Sequence, residues 1–177
     1  MLGSVRPYDL RRPSDSVNHG LTEVESSKMK IAIGADHQGF RLKRVLTEHL
    51  KKKGHDIIDF GTFSKESCDY PVYSHKVAEA VSKKKAHYGI FICKTGIGSA
   101  MALNKTRGVR AALVHNLKGA KLSRLHNNAN VLVLGADFVN VDDAKKIATT
   151  WLKTAFEGGR HSRRVNQIGK IEQGHGF

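Results

Sequence analysis

The segment Phe91-Ile-Cys-Lys-Thr-Gly-Ile-Gly98 puts a cysteine where an apolar run ends and a glycine turn begins. At such a junction a thiol faces the backbone N–H groups of the helix that follows, whose partial positive charge favours thiolates and anions. Cys93 is therefore a candidate base or nucleophile, and the turn after it a candidate cradle for an oxyanion or a phosphate. Gly96-Ile97-Gly98 lacks the third glycine of a dinucleotide fingerprint, and Lys94 precedes the glycines instead of closing them as in a Walker loop. What is left is a small anion site built from backbone donors, the Thr95 hydroxyl and the Cys93 thiol.

Three other groups could work with it. Asp36-His37 is open to three readings: triad partners for Cys93, a helix cap, or hydrogen bonds to a substrate. His126-Asn127 stands where a short helix gives way to a strand, and reads either as a helix-terminal histidine with a turn or as a working pair. Arg160-His161-Ser162-Arg163-Arg164 is the one arginine-rich cluster compact enough to grip an anion. The carboxylates of the core are too scattered for convergent ligation, so neither a catalytic metal nor a cofactor is expected. Cys68 and Cys93 are too few for a disulfide scaffold and lack C-x-x-C spacing.

These residues need a scaffold, and the pattern supplies one. From Lys30 onward, short apolar runs alternate with helical patterns, which predicts strands over Lys30–Gly34, His55–Asp59, Tyr88–Cys93, Arg110–Val114 and Val131–Gly135. Helices are predicted over Phe40–Lys53, Val72–Lys84, Gly98–Lys105, Lys118–His126 and Val141–Phe156, the last stopped by Gly158-Gly159. The fold class is α/β, a Rossmann-like doubly wound open sheet of five parallel strands with helices on both faces. Ligands of such sheets bind beyond the carboxyl ends of the strands. Asp36-His37, Cys93 to Gly98, His115-Asn116 and Asp137 should then share one rim.

At 177 residues the chain suits one compact domain, read here as residues 29–172, with an extension over 1–28 expected to be disordered and a tail over 173–177. Asp9, Asp15, Glu23 and Glu25 in the extension argue against a mitochondrial transit peptide, and no segment has the apolar length of a membrane span. A cytoplasmic protein is expected. The net charge of +14 invites nucleic-acid binding, but the lysine clusters fall on helix faces and ends, the usual place of solvated lysine, so nucleic acid is not the expected partner.

Several motifs in one order resemble the ribose-5-phosphate isomerase B group, which includes galactose-6-phosphate isomerases. They are Lys30 to Phe40, Asp69-Tyr70-Pro71, Ile92-Cys93 with Thr95 to Gly98, Asn104-Lys105, His126-Asn127, and Glu157 to His161 with Arg164. The resemblance implies metal-independent aldose-ketose isomerisation of a sugar phosphate, ribose 5-phosphate to ribulose 5-phosphate, through an enediolate. It implies that Cys93 is the base, that Thr95 and the amides of Gly96, Ile97 and Gly98 hold the enediolate, and that His126 opens the sugar ring with Asn127 beside it. It places Asp36, His37 and Tyr70 against the substrate and assigns the phosphate to Arg160 and Arg164. Another sugar phosphate with six carbons, or a silent member that binds RNA or a protein, are the alternatives. The group works as a homodimer with shared sites, in some members as a dimer of dimers, so His126 is expected to serve the partner subunit's Cys93. Two positions depart from the pattern. Lys94 stands where glycine is usual, and would cost roughly 1 kcal/mol if that backbone needed positive φ. Asp137 stands where an arginine often reaches the phosphate, and Lys94 is expected to replace that lost charge.

Overall fold

The computed structural model describes residues 28–176. Apart from Lys28, the extension lies outside the described residues. Strands β1 (Lys30–Ala35), β2 (Asp56–Asp59), β3 (Tyr88–Cys93), β4 (Ala111–Leu113) and β5 (Val131–Gly135) alternate with helices α1 (Phe40–Lys52), α2 (Tyr70–Ser82), α3 (Ile97–Leu103), α4 (Leu117–Leu125) and α5 (Val141–Lys153), and α6 (Arg160–Glu172) closes the chain. All pairings are parallel, and the sheet runs β2-β1-β3-β5-β4. No helix among the described residues is long and apolar enough to cross a membrane.

Successive side chains of a strand point to opposite faces, and here both faces are covered, so the inner strands β1, β3 and β5 are almost wholly apolar, whereas the edge strand β2 carries Asp56 and Asp59 at its ends. Ile31, Ile33, Ile90, Ile92, Leu132 and Leu134 pack with Leu42, Leu46 and Leu50 of α1 and with Ala144, Ile147, Ala148, Trp151 and Leu152 of α5. The alternate residues Ala32, Phe91, Cys93, Val131 and Val133 pack with Val77, Ala78 and Val81 of α2 and Leu103 of α3. The helical spacing read in α5 is thus the spacing of its sheet-facing stripe. Cys93 lies on the α2/α3 face.

Most boundaries shift by one or two residues and α6 is not among the predicted helices; the largest shift is at the end of α5. The helix predicted to reach Phe156 ends at Lys153, because Thr154 is extended (φ −85°, ψ 117°) and its carbonyl accepts from Arg124 Nε at 3.2 Å. Gly158 and Gly159, both at positive φ, therefore do not stop α5 but turn the chain into α6. Strand β4 is three residues long, with Arg110 and Val114 outside it.

Lys43 is a charged residue within the apolar stripe of α1 and is 1% exposed. Its Nζ lies 2.6 and 2.8 Å from the Asp59 carboxylate oxygens and 2.7 Å from the Thr62 carbonyl, and Asp59 also accepts the Gly61 amide at 2.9 Å. This network fixes the chain leaving β2 against α1. Removing one partner of a buried pair strands the other, so Lys43→Ala is expected to destabilise the fold by about 3 kcal/mol, measured by urea unfolding. An unchanged unfolding midpoint would show that the pair contributes nothing.

Candidate functional site

The doubly wound order brings the ends of β1, β3 and β5 together at the carboxyl rim. The Asp36 amide donates to the Ile92 carbonyl at 3.1 Å, the Ala136 amide to Cys93 at 2.9 Å, and the Asp137 amide to Lys94 at 3.1 Å. Cys93 is thereby fixed from both sides. Its side chain is 4% exposed, and its sulfur accepts from the Gly96 amide at 3.1 Å and from the Ser99 hydroxyl at 2.7 Å. Gly96 reverses the chain at φ +81°, where a Cβ would also collide with Leu113, so the position requires glycine. Because of that turn α3 begins directly over the sulfur.

The Thr95 hydroxyl accepts the Ile97 amide at 3.3 Å, which leaves its own hydrogen to donate outward. The amides of Gly96 and Ile97 are thus directed at Cys93 and Thr95, the two side chains they serve. Lys94 is exposed; among the described residues only Lys84 and Asn128 are non-glycine residues at positive φ, so lysine is not strained there. Lys94 and Asp137 are neighbours on the rim and both are exposed.

Asp36 is buried and accepts the amides of Gln38 and Gly39, both at 2.9 Å, so it closes the turn that leads to α1 and does not cap the helix itself, whose N-cap is Gly39. Nδ1 of His37 accepts the Cys68 amide at 3.2 Å; the ring proton is then on Nε2, a donor on the rim. His37 is turned to Cys68 and Cys93 to Gly96 and Ser99, so the triad reading is not assembled. Tyr70 opens α2, and its hydroxyl fills the space that a Cβ on Gly98 would need. Asn116 and Asn104 prove structural: the first caps α4 through the Gly119 amide at 2.8 Å, the second ties α3 to Ala111 of β4 through bonds of 2.8 and 2.9 Å.

The remaining candidates lie at the opposite rim. His126 follows α4, and its Nε2 is 3.7 Å from Glu157 Oε2, which is 3.9 Å from Nε2 of His161. The two imidazoles stack, centroids 4.2 Å apart and planes 5° from parallel. Arg124 fixes this corner: its buried guanidinium donates to Asn128 Oδ1 (3.0 Å), the Ala129 carbonyl (2.6 Å) and the Tyr88 hydroxyl (2.9 Å). The Glu157 amide donates to the Leu125 carbonyl at 3.0 Å, joining the turn after α4 to the segment before α6. Asn127 is exposed beside His126, and Arg160 and Arg164 are exposed on the first turns of α6.

His126, Glu157 and His161 are the residues best placed to hold a metal ion, their ligand atoms lying within 4.8 Å of one another. A metal sits in the plane of each imidazole that binds it, and planes this nearly parallel cannot both contain one ion. The arrangement suits a histidine pair sharing a carboxylate. Burial, and then the neighbouring His126, push the His161 pKa below its ordinary value. Its Nε2 is buried with no hydrogen-bond partner.

Tyr88 begins β3 and Cys93 ends it, and Arg124 grips Tyr88. The five residue-to-residue steps between them span roughly 17 Å. The structure thus brings Asp36, His37, Tyr70 and Cys93 to Gly98 together, and His126, Asn127, Arg160 and Arg164 together, on opposite edges of one chain. Sequence reasoning passed over Ser99, Arg124 and Lys43. Ser99 had one available signal, its place four residues before the apolar Leu103 on a helix with few other inward positions.

The Ribose/Galactose Isomerase family profile matches residues 31–168. Ribose-5-phosphate isomerase B of Escherichia coli is 46% identical over 144 residues, which are 81% of this chain and 97% of that protein. The structure of Clostridium thermocellum ribose-5-phosphate isomerase B superposes with a TM-score of 0.82 at 51% identity, covering 84% of this chain and all of that one. Mycoplasma genitalium ribose-5-phosphate isomerase B, with ribulose 5-phosphate bound, superposes with a TM-score of 0.80 at 44% identity, covering 82% of this chain and 97% of that one. The chain belongs to the ribose/galactose isomerase family, and its fold is the one those structures share.

The pKa values of His49, His55 and His161 are all lowered, chiefly by burial. Each binds its proton less tightly folded than unfolded, so as pH falls through the ordinary histidine range near 6.5 the unfolded chain gains protons first and stability is lost. The melting temperature is expected to fall between pH 7.5 and 5.5, and His161→Phe, which keeps a stacked ring, to lessen the fall. An identical fall in the variant would show that His161 is not part of this linkage.

Proposed function

We propose that the chain interconverts ribose 5-phosphate and ribulose 5-phosphate, with Cys93 as the base. The observation that carries the reading is the Cys93 sulfur, held at the end of β3 by two hydrogen-bond donors. Membership of a family whose relatives include ribose-5-phosphate isomerase B supports the substrate. The thiolate takes the proton from C2 of the open-chain aldose, and the electron pair moves into a C1–C2 double bond as the carbonyl oxygen at C1 gains a proton. Thr95, with its free hydroxyl hydrogen, and the Gly98 end of the turn hold the enediolate oxygens, where preorganised donors lower the barrier. The Cys93 thiol then returns the proton to C1 while the oxygen at C2 gives up its proton and becomes the carbonyl. Asp36, His37 through Nε2, and Tyr70 line the same rim and orient the sugar hydroxyls.

Ring opening is the task of His126, beside Asn127, and the phosphate goes to Arg160 and Arg164, four residues apart on one face of α6. These groups stand a strand's length from the Cys93 of their own chain. The active unit is then a homodimer in which His126 and the two arginines complete the partner subunit's site. Lys94 carries the positive charge that Asp137 does not.

Purified protein should turn over ribose 5-phosphate in the presence of a chelator, and more slowly or not at all a panel of six-carbon sugar phosphates. Cys93→Ala should lower kcat about a hundred- to ten-thousandfold with the fold intact, the range expected for a lost general base. His126→Ala should also be inactive on the cyclic substrate, and mixing the two unfolded variants and refolding them together should restore activity, since each mixed dimer then has one intact composite site. Retained activity in Cys93→Ala removes it from the base role; no recovery on mixing places His126 in the site of its own chain.

The charge exchange is tested separately. Lys94→Gly should raise KM for ribose 5-phosphate about tenfold, a loss on the scale of one charge-assisted hydrogen bond, and Asp137→Arg should bring it back down in the double variant. An unaltered KM in Lys94→Gly would show that the lysine does not meet the phosphate.

A further inference from the structure

Ser99 is a polar side chain in an apolar position. It is fully buried on the inward face of α3 together with Leu103, next to the cluster of Ala32, Val77, Phe91 and Val133. Alanine would fill that place as well and leave no hydroxyl to satisfy. The hydroxyl instead lies 2.7 Å from the Cys93 sulfur.

We infer that Ser99 is a positioning residue for proton transfer, holding the Cys93 sulfur in one orientation through both of its protonation states. The inference rests on the reading of Cys93 as the base. In that role the sulfur alternates between thiolate and thiol within each turnover. A thiolate accepts hydrogen bonds, and both of its neighbours can donate, Gly96 through its amide and Ser99 through its hydroxyl. Once protonated, the sulfur has a hydrogen that needs an acceptor, and the Gly96 amide can only donate. A hydroxyl can do either by rotating about its C–O bond. Ser99 alone of the two can follow the sulfur through the cycle. It supports the thiolate that removes the proton from C2 and receives the S–H bond until the proton leaves for C1. Because it touches Cys93 from the core side, it acts through the base.

The test compares Ser99→Ala and Ser99→Thr with the parent in ribose 5-phosphate isomerisation from pH 5.5 to 9. For Ser99→Ala the expected result is a fall in kcat of about tenfold to a hundredfold, the loss typical of a hydrogen bond to a charged group, with KM changed by less than about twofold. The acid limb of its kcat profile should move to higher pH, and Ser99→Thr, which keeps the hydroxyl, should recover both rate and profile. Alkylation of Cys93 by iodoacetamide, followed on its peptide by mass spectrometry, should be slowed in Ser99→Ala at neutral pH, a readout that needs no turnover. If Ser99→Ala loses its fold, Ser99→Cys, with its weaker donor, carries the same comparison. A parent-like kcat, pH profile and alkylation rate in the alanine variant would overturn the inference. Cys93→Ala separates the two readings: if it stays active the base assignment has failed, whereas an inactive Cys93→Ala beside an unimpaired Ser99→Ala removes Ser99 only.

Discussion

The end of β3 is the constraint on which the site depends. It is the middle strand of five, and the loops that follow its two neighbours bond to its last carbonyls, Asp36 to Ile92 on one side and Ala136 and Asp137 to Cys93 and Lys94 on the other. A sulfur there cannot drift, and the left-handed turn at Gly96 then brings α3 back over it, so that donors are in place before any ligand arrives. Such preorganisation lowers the cost of charge that develops during reaction. The crossover from β3 to β4, which leaves space for β5 between them, is what makes room for this double stitching.

Much of this arrangement was legible as pattern. The inner strands β1, β3 and β5 are nearly continuous apolar runs because both faces of the sheet are covered, and the stripe of α5 repeats at helical spacing, so period and length alone located them. The shared rim followed from parallel topology. What the pattern did not reveal were features set by partners distant in sequence. Nothing in Thr154-Ala155-Phe156 breaks a helix; α5 ends there because Arg124, thirty residues earlier, takes the Thr154 carbonyl. Lys43 reads as one more solvated lysine until β2 brings Asp59 and Thr62 to it. The placement of β5 between β3 and β4 is likewise a pairing choice that local sequence does not encode.

The candidate site was legible in its members more than in its layout. Cys93 and the glycine turn are recognisable from residue types, whereas Asp36, a candidate helix cap, closes the turn before α1 through Gln38 and Gly39 and leaves Gly39 as the N-cap. The Gly96 and Ile97 amides take their roles from the fold, which turns them to Cys93 and Thr95. Ser99 went unread because a serine in a helix has many ordinary uses, and its significance comes solely from the sulfur it faces. The concern over Lys94 disappears for a similar reason: its backbone lies in a region any residue can adopt.

The length of β3 has a further consequence. Tyr88, gripped by the corner that carries His126, and Cys93 stand at its two ends, so the strand acts as a spacer between the two edges of the chain. On the proposed reading no single chain can close a complete site by bending a loop, because the spacer is the central strand of the sheet, paired on both sides. Activity per chain then becomes a function of chain concentration, falling on dilution as subunits part.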